Sequence, residues 1–272
     1  MIIDDALPPG SRANTPNPGP YPRPILTGSF ETRYDLRSFG EPLKRLRSIA
    51  IYDVGEPLAD LRDMSSDLIL RPGCIPLLRQ TVAEMVCQAQ KNLPAGCRLT
   101  VGTCLRTVEI QKRIRDHFTE KLQSEHPEWT TATMQRTLNR MIAPLDAKSP
   151  PPHTTGAAID VGVDGPDGKA LCFSNPSSDW FGFAATYSSK LTDECRENRI
   201  MLIKAMEDAG LTNYLGEWWH WSYGDQGWAL RVGSDVAYYG AVDVENAEAL
   251  KVPEPPKPEE EKPEEEKRNE EG

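Results

Sequence analysis

The chain has 272 residues, a formal net charge of −10 and an apolar content of 38%, which is enough to bury a substantial core. No apolar run approaches the roughly 20 residues that cross a bilayer; the opening MIIDDALPPGSRANTPNPGPYPRP has neither a basic nor an apolar region, so it reads against a secretory leader and for the cytoplasm. From Pro253 onward nine Glu stand against four Lys and Arg, −5 of the total −10, so the rest is mildly acidic and has no basic stripe for nucleic acid.

Residues 1–25, rich in Pro, Gly and Asn, predict an extended arm. Residues 26–245 read as one domain, and 246–272 as an acidic, disordered tail. Residues 29–40 mix aromatics with charges and read as an ordered loop. Residues 48–54, SIAIYDV, predict a strand. A helix is expected over 75–93, with Ile75, Leu77, Leu78, Val82, Met85, Val86 and Ala89 on one face and Pro94-Ala95-Gly96 ending it. Residues 98–103 are strand-like. Residues 107–126 predict a helix with Val108, Ile110, Ile114, Phe118 and Leu122 as its apolar side, and a shorter helix follows over 131–141.

Pro150-Pro151-Pro152 stiffens the approach to His153. Residues 157–163 predict a strand and 164–168 a turn. Residues 175–190 form an irregular polar and aromatic loop. A helix over 192–209 is capped by Thr192, buries Ile200, Ile203 and Met206, and stops at Gly210. Residues 218–224 predict a last strand. Helices and strands alternate without a regular βαβ rhythm, so the expected fold class is α+β, a mostly antiparallel sheet flanked by helices.

Six cysteines, at 74, 87, 97, 104, 172 and 195, form no CxxC pair, which argues against a cysteine-rich zinc site and for reduced, mostly buried thiols. Two of the four histidines lie in PPPHTTGAAID and GEWWHW; Asp160 follows His153 by seven residues and Glu217 precedes His220 by three. The other two, His117 and His126, read as helix-surface residues.

A carboxylate inside the apolar run Ala157-Ala158-Ile159-Asp160-Val161 is costly unless it is paired or bound to a cation. Taken singly, His153 reads equally as a surface residue, Asp160 as half of an ion pair, and His220 as a core histidine. Together, two imidazoles and a carboxylate suit Zn²⁺ and leave a position for water, whose pKa falls towards about 7. A further carboxylate off the metal is then a base for that water. On a strand, residues three apart face opposite sides, so for Glu217 and His220 to share a site Glu217 must lie on a bend at Gly216.

HTTGAAID with GEWWHW resembles the HxxGxAxD and ExxH motifs of the D-alanyl-D-alanine dipeptidases of peptidase family M15. These relatives of the vancomycin-resistance dipeptidases share a fold with the Hedgehog signalling domain. The resemblance spans roughly residues 71–233. It implies a Hedgehog/DD-peptidase-like fold and one zinc per chain, with His153, Asp160 and His220 as ligands and Glu217 as catalytic base. It also implies an arginine, here Arg106 in GTCLRTVEIQ, that stabilises the charged intermediate. Pro151 stands where well-known relatives carry Ser, and Thr103 where they often carry Asp; both positions bear on substrate recognition. Asp179, Trp180 and Phe181 could cover the pocket, or belong to an ordinary packed loop.

The implied partner is a small D-amino-acid dipeptide, with no nucleic acid and no membrane; nothing in the sequence sets an oligomeric state. Two other readings stay open: a D,D- or L,D-carboxypeptidase or endopeptidase on peptidoglycan stem peptides, and a non-catalytic zinc-binding module.

Overall fold

The computed structural model describes residues 41–174, 184–188 and 190–255. The expected arm over 1–25, the loop over 29–40, the residues Asp179, Trp180 and Phe181, and the tail beyond residue 255 lie outside the described residues. The first half holds α1 (Leu43–Leu46), β1 (Ala50–Ile51), β2 (Leu58–Asp60), α2 (Leu61–Met64), β3 (Ile69–Leu70), β4 (Leu77–Arg79), α3 (Gln80–Asn92), β5 (Arg98–Thr103) and α4 (Val108–Glu125). The second holds α5 (Thr131–Met141), β6 (Ala158–Asp164), α6 (Asp193–Asp208), β7 (Thr212–Asn213), β8 (His220–Ser222), α7 (Gln226–Val232) and β9 (Val236–Ala237).

The central sheet has five strands in the order β3-β5-β6-β8-β7. The α+β class holds, but the sheet is mixed and not mostly antiparallel: β3 pairs with β5 in parallel, and a separate two-stranded sheet pairs β1 with β9 in parallel too. The chain between β3 and β5 crosses over through β4 and α3, the kind of connection that lets two strands run the same way. The antiparallel ladders β5–β6 and β6–β8 place Asp160 opposite both Thr103 and His220.

The period of two along β6 sorts its side chains. Ile159, Val161 and Val163 are buried with Leu99 and Val101 of β5, Val82, Val86 and Ala89 of α3, and Leu202, Ile203 and Met206 of α6. Each such fully buried aliphatic side chain contributes about 1.5–3 kcal/mol. Asp160, Gly162 and Asp164 take the half-buried opposite face.

Several expected boundaries move for physical reasons. Ile75, Leu77 and Leu78 are not helical, because Pro76 disfavours helical backbone at Ile75 and residues 77–79 pair with β2. On α6 Ile200 is 46% exposed; Arg199 is buried in its place, donating to the carbonyls of Phe173, Ala185 and Thr186. Val108 is also exposed, while Leu122 packs with Met134, Leu138 and Ile142 in a second small cluster. His117 is exposed and His126 stacks on Trp129, as helix-surface residues do. Cys172 and Cys195 are joined in a disulfide, against the expectation of thiols throughout, because Cys172 lies beside the first turn of α6. No described helix is long and apolar enough to cross a membrane.

Candidate active site

His153 lies in a 3₁₀ turn, Pro152–Thr155, which follows the proline run. Gly156 ends that turn at φ +70°, a left-handed conformation, and a Cβ there would come within 2.8 Å of Leu58 Cδ2. The turn is tied down by buried Arg79, whose backbone N–H donates to the Gly156 carbonyl and whose Nε donates to the Thr155 carbonyl. His153 is itself buried, and its Nδ1 donates to the Cys104 carbonyl at 2.8 Å. A carbonyl only accepts, so Nδ1 carries the proton and the neutral ring presents a lone pair at Nε2.

That Nε2 lies 3.2 Å from Asp160 Oδ1, and His220 Nδ1 lies 2.9 Å from the same oxygen. Burial pushes His153 down, and this outweighs the Asp160 charge, so the ring is neutral near pH 7. For Asp160, burial acts upward but the hydrogen bond and charge of His220 oppose it, and the carboxyl is held well below its usual range. For His220, burial acts downward but the hydrogen bond and charge of Asp160 prevail and raise it.

These donors fit a metal. A lone pair on neutral His153 facing a carboxylate oxygen is an acceptor facing an acceptor, a contact that a cation between them resolves. The ligand atoms of His153, Asp160 and His220 all lie within 4.8 Å of one another. Zinc bonds of about 2.1 Å in a tetrahedron put neighbouring ligand atoms about 3.4 Å apart, close to the separations seen.

Glu217 lies outside the β8 ladder. Its N–H donates to the Tyr214 carbonyl at 2.9 Å and its carbonyl accepts from His220 N–H at 3.1 Å, so Glu217 sits on a turn just before the strand. The expected bend is present, although Trp218 and Trp219 belong to the turn and the strand begins only at His220. Gly216 is needed for closeness: a Cβ on it would meet the Tyr214 ring at 2.7 Å, and its φ is not among the positive ones. The Glu217 carboxyl is not one of the three clustered ligands, yet it is near enough to interact with the charges of His220, Asp160 and Arg106. Burial is the largest influence on it and pushes its pKa up to about 7.

Arg106 follows β5, and its N–H donates to the His153 carbonyl at 3.0 Å. Its Nη2 lies 3.7 Å from Asp160 Oδ2 and 3.4 Å from Thr103 Oγ1. All five expected site residues therefore meet at one end of the sheet. Sequence reasoning passed over Cys104, which acts through its backbone carbonyl and so leaves no trace in residue type. It also passed over Asn213, whose side chain bonds the Glu217–His220 turn.

Beside Asp160 an open cleft of about 470 Å³ runs along the half-buried face of β6, over Gly162 and Gly102 to Arg71 and Asp164, with Phe173 and Trp218 on its wall.

Residues 73–237 match the family described as D-Ala-D-Ala dipeptidase within peptidase M15. The D-alanyl-D-alanine dipeptidase of Synechocystis sp. is 28% identical over 254 residues, an alignment covering 76% of this chain and 100% of that protein. The match takes in His153, Asp160, Glu217 and His220, the residues that the fold brings to one point, and the chain accordingly belongs to the M15 family of zinc metallopeptidases.

Proposed function

We propose that the chain hydrolyses D-Ala-D-Ala, or a closely related D-amino-acid dipeptide, with one zinc held by His153, Asp160 and His220. The observation that carries the reading is Glu217: a half-buried carboxyl with a pKa near 7, placed beside a two-histidine, one-aspartate cluster without joining it. Zinc, when bound, supplies a Lewis acid that polarises a carbonyl and acidifies water. Glu217 accepts the proton of the attacking water and returns it to the leaving amine, a role for which a pKa near neutrality is suited. Arg106 offers a guanidinium to the oxygen on which negative charge develops. The Cys104 carbonyl fixes the His153 tautomer, as such outer partners of metal-binding histidines do.

Hydrolysis of D-Ala-D-Ala with zinc, abolished by a chelator and restored by zinc, is the expected result. No turnover by the zinc-loaded protein on this dipeptide or other short D-peptides overturns it.

A second reading rests on the cleft. Asp164 lies four residue steps along β6 from Asp160, about 13 Å at strand spacing, more than a dipeptide spans. That length favours a carboxypeptidase or endopeptidase acting on peptidoglycan stem peptides. Comparing kcat/KM for D-Ala-D-Ala and for a pentapeptide ending in D-Ala-D-Ala separates the two.

A further inference from the structure

Asn213 is the last residue of β7, faces Trp221 of β8 in the ladder, and is 5% exposed. Its side chain turns back onto the loop that joins these strands. Nδ2 donates to the carbonyl oxygens of Glu217 at 3.1 Å, Trp218 at 3.3 Å and His220 at 3.0 Å. Because all three groups only accept, the amide end facing them must be the NH₂. On its other side Oδ1 accepts from the Thr186 hydroxyl at 2.5 Å, which fixes the plane of the amide. One buried side chain therefore ties the first residue of the Glu217–His220 turn to the last.

The two ends do not depend on it equally. His220 is held in β8 opposite Asp160, and its carbonyl also accepts from Tyr214 N–H at 3.0 Å. Glu217 has no strand to hold it. Apart from Asn213, its backbone is kept by the turn bonds to Tyr214 and His220 alone among the bonds described. Removing the amide thus frees Glu217 more than it frees His220.

We propose that Asn213 is a positioning residue for Glu217, an inference that rests on the reading of Glu217 as the base. Only an amide serves. Asp has the same shape but no donor and would set a carboxylate against three carbonyls; Ala removes the tie and leaves each carbonyl only its other donor, His220 N–H for Glu217, Trp221 Nε1 for Trp218 and Tyr214 N–H for His220.

The test uses full-length zinc-loaded protein carrying Asn213→Ala or the isosteric Asn213→Asp, with folding checked by circular dichroism. Both variants should keep one zinc per chain, with a dissociation constant within about fivefold of the parent, because His220 stays in its ladder. For D-Ala-D-Ala, kcat should fall at least about tenfold while KM changes by less than about threefold. Amide hydrogen exchange across 213–222 should quicken at least about tenfold, with β6 unchanged. In a Glu217→Gln background, adding Asn213→Ala should cost little more, since its effect runs through Glu217.

Unchanged exchange across 213–222 overturns the proposal. So does loss of zinc with normal kcat in the loaded fraction, or a full additional loss in the double variant. If the parent enzyme itself does not turn over D-Ala-D-Ala, the functional reading has failed, and the exchange measurement alone decides the clamp.

Discussion

The His153 ring donates from Nδ1 to the Cys104 carbonyl at 2.8 Å, and so turns its Nε2 lone pair towards Asp160. That geometry predicts tight metal binding that stabilises the fold. Ligand present at about a thousand times its dissociation constant adds about 4 kcal/mol, which for a domain of this size is on the order of 10 °C in Tm. Chelation should lower Tm by that amount, and zinc should restore it. His153→Ala, Asp160→Ala and His220→Ala should each lose the metal and show no response to the chelator. A ligand variant that keeps one zinc by atomic absorption removes that residue from the set.

Glu217 should behave differently from the three. Glu217→Gln should retain one zinc yet lose about 10²–10⁴ in kcat, the usual worth of a positioned base. In the parent enzyme kcat should fall on the acid side as Glu217 is protonated. Its pKa is near 7 without metal, and a nearby cation favours the ionised form, so the limb should lie below pH 7. The Gln variant should lack that limb. Zinc lost along with turnover would make Glu217 a ligand.

The same carboxyl carries a cost in stability. Its folded pKa of about 7 is above its ordinary 4.5, so the folded state binds the proton more tightly. Chelated protein should therefore lose stability as pH rises from about 4.5 to about 7, and remain at the lower level above that. Glu217→Gln removes the dependence. In chelator at pH 8 the variant should be more stable than the parent by on the order of 2–3 kcal/mol, with the difference gone near pH 4. Urea melts at both pH values measure it; an equal gap at both would rule out Glu217 as its source.

These consequences differ in how far the sequence shows them. His153, Asp160, Glu217 and His220 are legible because metal chemistry demands particular side chains at particular spacings. The cap at Thr192 is legible because a hydroxyl at that place has a local job. The Cys104 carbonyl is not, since every residue has one. Asn213 is hard to see because its partners are backbone atoms of a turn four to seven residues away. The parallel pairing of β3 with β5 depends on where a crossover lands, and no local pattern encodes that. Ile200 misleads because helical spacing marks an apolar face, whereas burial of Arg199 decides which face turns inward.

Arg106 should act on the reaction and not on the metal. It approaches Asp160 Oδ2, the oxygen turned away from the two histidines, at 3.7 Å. Arg106→Ala should keep zinc and lower kcat by about 10²–10³, the scale seen when one oxyanion donor is removed. Arg106→Lys should recover little of it, because a single ammonium lacks the planar fork. Zinc loss in Arg106→Ala, or full activity in the Lys variant, would contradict the role.

Arg79 should matter to stability and to the site at once. It is 3% exposed, and its guanidinium donates to the carbonyls of Thr155, Glu56 and Gly240 and to Asp53 Oδ2, while lying 5.1 Å from the centre of the Tyr239 ring. The four acceptors belong to three stretches of chain, and one of these is the turn that carries His153. Arg79→Met fills much of the space but leaves the carbonyls of Thr155, Glu56 and Gly240 without this donor, a loss of about 1–3 kcal/mol. Lys restores a charge but cannot reach four acceptors from one nitrogen, so it should recover less than half of the loss. The urea midpoint should fall with little change in slope. Because the Thr155–Gly156 turn is released as well, zinc should bind at least about tenfold more weakly, the loss typical of a disturbed outer shell. A variant that loses stability while binding zinc as tightly as the parent would show that Arg79 braces the domain without bracing the turn.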